Sequence, residues 1–120
     1  MKKMELENEL KGFIGTTRYH KTNPFSKLVV TDGILHLCEK AKCYWLIDIV
    51  ASVQHLEKIQ QNKEFILWVI DVKDKKAVVK ALTDSDGEVL YEQKVEYTDF
   101  PLKRFEFYQE QDVALLKNEH

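Results

Sequence analysis

Residues 65–70 read Phe65-Ile66-Leu67-Trp68-Val69-Ile70, an unbroken apolar run that follows Asn62 and precedes Asp71. Both faces of an extended segment with this sequence are apolar, which predicts a central strand covered on both sides. After it, Lys73-Asp74-Lys75 turns the chain, and Ala77, Val79 and Ala81 begin a second strand. Asp84-Ser85-Asp86-Gly87 supplies a hairpin turn, with Gly87 available for a positive φ. Val89, Tyr91, Gln93, Val95 and Tyr97 then alternate with Leu90, Glu92, Lys94 and Glu96, the period of a third strand. Asp99-Phe100-Pro101 breaks the ladder, because proline cannot donate a backbone hydrogen bond. Phe105 and Phe107 mark a fourth strand, and Val113 to Leu116 a short fifth.

Upstream of residue 62 the period is 3.6. From Tyr44 to Gln61 the residues Leu46, Ile49, Val50, Val53 and Leu56 recur at helical spacing, and Trp45 and Ile59 widen their face. Asp48, Ser52, His55, Glu57 and Lys58 fall mostly outside it. Before it, Thr31 or Asp32 can cap a helix running to about Lys40, with Ile34, Leu37, Cys38 and Ala41 on one side. Residues 3–11 form a short acidic helix ended by Gly12. Residues 13–27, with Gly15 and Pro24, read as irregular or as a short edge strand. The fold expected is α+β: N-terminal helices, one of them long and amphipathic over about 44–61, packed on an antiparallel sheet of about 4–5 strands. Residues 1–120 form one domain in this reading.

Charge and cysteine content narrow the function classes. The balance of 18 Lys and Arg against 20 Asp and Glu gives a net charge of −2. Such a chain lacks the basic excess of a phosphate-tracking nucleic-acid binder. The strand aromatics Tyr91, Tyr97, Phe105, Phe107 and Tyr108 alternate with glutamates, so sheet core or a protein interface suits them better than base stacking. Glu5, Glu7 and Glu9 interrupt what would be the apolar part of a signal peptide. No apolar run approaches the roughly 20 residues of a membrane span. Two cysteines, Cys38 and Cys43, are too few for a disulfide framework. The chain is expected in the cytoplasm.

Metal and nucleophile chemistry find little support in the spacing. His36, Cys38, Cys43 and His55 hold zinc-type donors, but residues 36 and 38 lie roughly 200° apart on a helix. Asp84-x-Asp86-Gly87 lacks the remaining ligands of a calcium loop. Asp48, Ser52 and His55 share one helical stripe with the serine between the other two, the wrong order for a relay through histidine. We therefore expect no catalytic triad, no metal and no cofactor. A basic-aromatic cluster, Arg18-Tyr19-His20-Lys21 with Lys27 nearby, suits a phosphate or carboxylate.

Five phrases occur in order: Gly15-Thr16-Thr17-Arg18-Tyr19, Val30-Thr31-Asp32-Gly33, Tyr44-Trp45-Leu46-Ile47-Asp48, Ala51-Ser52-Val53-Gln54 and Glu96-Tyr97-Thr98-Asp99-Phe100-Pro101-Leu102. Together they resemble an uncharacterised family of small bacterial and phage- or plasmid-borne proteins, over about residues 13–116. The resemblance implies a mobile-element setting and assigns no reaction. Folding accounts for most of the phrases, as helix start, ring-bearing helix entry and strand exit. Asp48 beside Trp45 stands out as a carboxylate that either caps a network or serves a ligand.

The expectation is a non-enzymatic binding or interaction protein, an accessory or anti-defence factor of a mobile element. Its partner would be a host protein or a small anionic ligand near Arg18, Tyr19, His20, Lys21, Asp32, Trp45 and Asp48. The alternative is a small enzyme acting on a nucleotide-like or other anionic substrate, with His20 and Asp32 or Asp48 as acid and base. A homo-oligomer could form through an exposed edge at Val113 to Leu116 or the apolar side of the first helix.

Overall fold

The strand built on Trp68 lies inside a seven-stranded mixed sheet. The computed structural model describes residues 3–13, 18–21, 26–84 and 87–120. Along the chain it contains α1 (Lys3–Leu10), β1 (Tyr19–His20), β2 (Val29–Thr31), α2 (Asp32–Ala41), α3 (Tyr44–Ser52) and α4 (Glu57–Gln61). There follow β3 (Ile66–Lys73), β4 (Lys76–Leu82), β5 (Val89–Val95), β6 (Arg104–Glu110), β7 (Val113–Leu116) and a 3-10 turn over Lys117–Glu119. The strand order is β1-β2-β7-β6-β3-β4-β5.

This corrects the expected antiparallel sheet of four or five strands. Its strands 65–70, 77–81, 89–97, 105–107 and 113–116 correspond to β3 to β7, and β1 and β2 are added. Val29–Thr31 reads locally as the approach to a helix cap, yet it pairs parallel with β7, Val29 opposite Val113 and Val30 opposite Ala114. Its backbone partners lie far along the chain and leave no local pattern. Val113 to Leu116 is accordingly no edge, being flanked by β2 and β6. The edges are β1 and β5.

The long helix expected over 44–61 is two short ones. Ser52 Oγ donates to Ile49 O at 2.8 Å, and Gln54 Nε2 donates to Val50 O at 2.9 Å. Those carbonyls would accept from the backbone N–H groups of Val53 and Gln54 if the helix continued. Side chains have taken the acceptors, and α3 stops. Gln54 also exchanges amide hydrogen bonds with Gln109 on β6, which Trp68 Nε1 joins at 3.0 Å. A buried polar network therefore fixes where the helix ends.

The other local signals fold as their chemistry dictates. Thr31 caps α2, its hydroxyl accepting from Ile34 N at 3.3 Å. Lys42 closes the same helix in the left-handed region, with φ 53°. Asp74 and Lys75 form the two-residue β3–β4 turn, both with positive φ. The hairpin turn at 84–87 is only partly described, residues 85 and 86 lying outside it. Gly87 is required for space: a Cβ there would meet Thr83 Oγ1 at 1.8 Å. The Asp99-Phe100-Pro101 break carries the chain past the end of the sheet to β6. There Thr98 N donates to Lys75 O at 2.7 Å, and Phe100 is buried.

One face of the sheet carries Ile66, Trp68, Ile70, Val79, Phe107 and Leu116, which share a core with Ile34, Leu37, Leu46, Ile47 and Val50 of the helices. The opposite face carries Leu67, Val69 and Leu115, buried yet apart from that core. A second covering layer was expected over β3. Instead its cross-strand neighbours shield it: Val69 sits between Lys80 and Glu106, and Leu67 between Leu82 and Tyr108. Ion pairs join Glu106 to Lys117 and Arg104 on this face. Lys117 first, and then Arg104, hold the Glu106 carboxyl below its ordinary range against partial burial. Among the described residues no helix is long and apolar enough to cross a membrane.

Candidate functional site

The pairing of β1 with β2 sets Tyr19 opposite Thr31 and His20 opposite Val30. That register carries position 20 to the first turn of α2, where His20 Nε2 lies 2.6 Å from Asp32 Oδ1. Each side chain is about one-third exposed, so the pair is open to solvent. Arg18 and Lys21 are exposed on either side of the strand. Tyr19 is 60% exposed and borders a cleft of about 430 Å³ with Thr31, Glu110, Val113 and His120.

Trp45 and Asp48 stand elsewhere. Trp45 packs partly buried against the helical core, whereas Asp48 is exposed on α3. Neither lines the Tyr19 cleft, and the 45–48 phrase serves the α3 core with Leu46 and Ile47. Of the seven predicted site residues, the structure thus joins His20 to Asp32 and separates Trp45 and Asp48 from the Tyr19 cleft.

A larger cleft, about 550 Å³, opens on the other side of β2. It is lined by Ser26, Lys27 and Leu28 ahead of β2, and by Ala51, Ser52, Gln54 and His55 at the end of α3. Gln60, Lys63 and Asp112 complete it. Ser52 at the end of α3 and His55 beyond the break both border this space. Lys63 Nζ lies 2.5 Å from Asp112 Oδ1. Asp112 O accepts from Val29 N at 2.7 Å, and Gln111 N donates to Lys63 O at 2.5 Å. These bonds fix the β6–β7 turn, the start of β2 and the Lys63 segment as one rigid wall.

Two lysines, Lys27 and Lys63, and one carboxylate, Asp112, line that cleft. Lys27 and His55 make no ion pair with a described residue, and Asp112, the acid of the lining, faces Lys63. Ser26 Oγ accepts from Leu28 N at 3.1 Å, which leaves its hydroxyl proton for a guest. The sequence signalled Lys27 through its place after the basic cluster. Lys63 carried no signal, since its role depends on a turn almost fifty residues away.

The cysteines and His36 serve packing. Cys38 and Cys43 are buried. A hydrogen bond with Cys38, and then burial, push the Cys43 thiol far above its ordinary pKa. The His36 ring stacks at a tilt on Phe13, centroids 5.1 Å apart. Among the described residues no three His, Cys, Asp or Glu side chains gather where they could hold a metal ion.

The sequence model of a family of unknown function, DUF6876, matches residues 4–120. The chain belongs to that family. No curated protein and no solved structure matches it. Membership agrees with the resemblance to an uncharacterised family, and it assigns neither a biological source nor an activity. Within this DUF6876 chain, polar side chains from several elements meet at the two clefts beside β2.

Proposed function

We propose that this chain is a non-enzymatic binding domain that holds a small anionic ligand, or an acidic group of a partner protein, in the cleft of Lys27, His55 and Lys63. The observation that carries this reading is the charge balance of the cleft: two lysines against one carboxylate that Lys63 already faces, with the His55 ring beside them. Cations with hydroxyl donors beside them are the chemistry that recognises phosphate or carboxylate. Arg18 and Lys21 add exposed positive charge for a larger acidic partner. The setting implied by the shared phrases, an accessory or anti-defence factor of a mobile element, would make that partner a host protein.

Calorimetric titration with inorganic phosphate, pyrophosphate and a nucleoside diphosphate tests the proposal. Binding that weakens about tenfold in both Lys27→Gln and His55→Gln is the expected result, corresponding to about 1.4 kcal/mol. Wild-type protein that takes up none of these anions, or takes them up equally well in both variants, contradicts the small-ligand form. Retention of an acidic peptide by wild type and its loss in Lys27→Gln would support the protein-partner form.

The His20–Asp32 contact favours a second reading, a small enzyme acting on a nucleotide-like or other anionic substrate. A carboxylate oxygen at 2.6 Å fixes the orientation of an imidazole, as a general acid–base pair requires. The readings separate on His20→Gln, which abolishes turnover in the enzymatic case and leaves anion affinity at the Lys27 cleft unchanged in the binding case.

A further inference from the structure

We propose that β5 is a dimerisation edge, pairing antiparallel with β5 of a second copy about a twofold axis at Gln93. Among the described residues the strand ends the sheet and bonds only to β4 on its inner side. Its seven residues leave one row of backbone N–H and C=O groups open to a partner strand. An edge of this length invites pairing unless its side chains forbid it.

Here the side chains select one partner. In a twofold antiparallel pairing, positions facing each other across the axis sum to twice the central residue number, and facing side chains share a face of the sheet. Centred on Gln93, each Glu92 faces the other copy's Lys94, and each Tyr91 faces Val95. A bulge between Tyr91 and Val89 ends the regular register there. Val89 and Tyr97 are 44% and 67% exposed, large apolar side chains left in water by the single chain. Glu92 and Lys94 are both exposed on the uncovered face, where Lys80 Nζ approaches Glu92 at 3.8 Å. Pairing would extend this into a row of alternating charge across the dimer: Lys80, Glu92 and the second copy's Lys94.

The adjacent registers on residues 92 and 94 lack this match, and centring on Val95 pairs Lys94 with Glu96 only by leaving most of β5 unpaired. Centring on residue 92 sets Glu92 against Glu92, and centring on residue 94 sets Lys94 against Lys94. Centring on Tyr91 runs the strand off its partner into the turn before Val89. Charged edges usually keep strands apart. The order of charges on β5 instead repels unrelated edges while matching its own reversed copy. The two seven-stranded sheets would then join as one.

Sedimentation equilibrium of wild type, Lys94→Glu, Glu92→Lys and their equimolar mixture tests the proposal. Wild type is expected to dimerise. Each variant alone places like charges opposite each other twice and weakens self-association about tenfold or more. Mixed, the two variants regain both Glu–Lys contacts, so a heterodimer of wild-type affinity should form, which also shows that the variants are folded. The double variant Glu92→Lys/Lys94→Glu should again form a homodimer. A monomeric wild type, a dimer indifferent to Lys94→Glu, or a mixture that stays monomeric overturns it.

Discussion

Glu119 shows how one side chain can close a fold. Its carboxylate is buried, accepting from Thr31 Oγ1 at 2.6 Å, from Gly33 N at 3.2 Å and from Leu116 N at 3.0 Å. Negative charge at the start of α2 suits the free N–H groups and the helix dipole there. Gly33 is tied to this arrangement, because a Cβ at that position would meet Leu116 Cδ1 at 2.4 Å and Glu119 Oε1 at 2.5 Å. Glu119→Ala leaves two backbone donors and a hydroxyl without their acceptor and should cost about 3 kcal/mol in urea unfolding, with Glu119→Gln costing less. An Ala variant as stable as wild type would contradict the role assigned to the carboxylate. The buried thiols give a second test at this scale. Cys38 and Cys43 should resist a thiol reagent in the native state and react once denatured. Because the native Cys43 pKa is raised, the unfolded chain alone loses its proton above about pH 8.5. Its contribution to stability is therefore complete below that pH and declines above it. The stability difference between wild type and Cys43→Ala should shrink as pH rises through that range.

The start of α2 and the end of α3 lie where side chains satisfy or take backbone groups. The α3 terminus is the clearest case, and it gives a prediction. Gln54→Leu removes a side chain that binds Val50 O and both amide atoms of Gln109, and it should cost about 2 kcal/mol. A double-mutant cycle between Gln54 and Gln109 should show coupling of about 1 kcal/mol, whereas additivity would deny the network. The same residues explain what the sequence could convey. The start of α2 was legible because Thr31-Asp32-Gly33 carries its own cap. Strands β3 to β7 were legible because their apolar patterns and turns are local. The break after Ser52 was not, since the apolar spacing continues through it and the partner of Gln54 lies on β6. Strand β2 was equally hidden, its three residues having their place from β7. Within the candidate site, His20 and Asp32 were each legible as titratable groups, while their contact depends on the β1–β2 register. Lys63 became part of a site only through the β6–β7 turn.

Across the whole molecule, one sheet divides two environments. The helices and the α3–α4 break cover one face, and the polar cleft of Lys27 opens where that cover ends. The other face relies on ion pairs and cross-strand neighbours, and the β5 edge stays open to a second copy. The small net charge of −2 conceals this arrangement, because Arg18, Lys21 and Lys27 fall around β1 and β2 while α1 carries Glu5, Glu7 and Glu9. Anion binding and dimerisation fall on separate parts of the sheet, so Lys94→Glu should leave anion affinity unchanged within about twofold, about 0.4 kcal/mol. The most direct test of the binding proposal is a nitrogen-15 NMR titration with inorganic phosphate and pyrophosphate. The account predicts saturable shifts confined to the amides of Ser26 to Leu28, Ser52 to His55 and Lys63. Saturable shifts centred instead on Arg18 to Lys21 and Asp32, or no saturable shift at all, would contradict it.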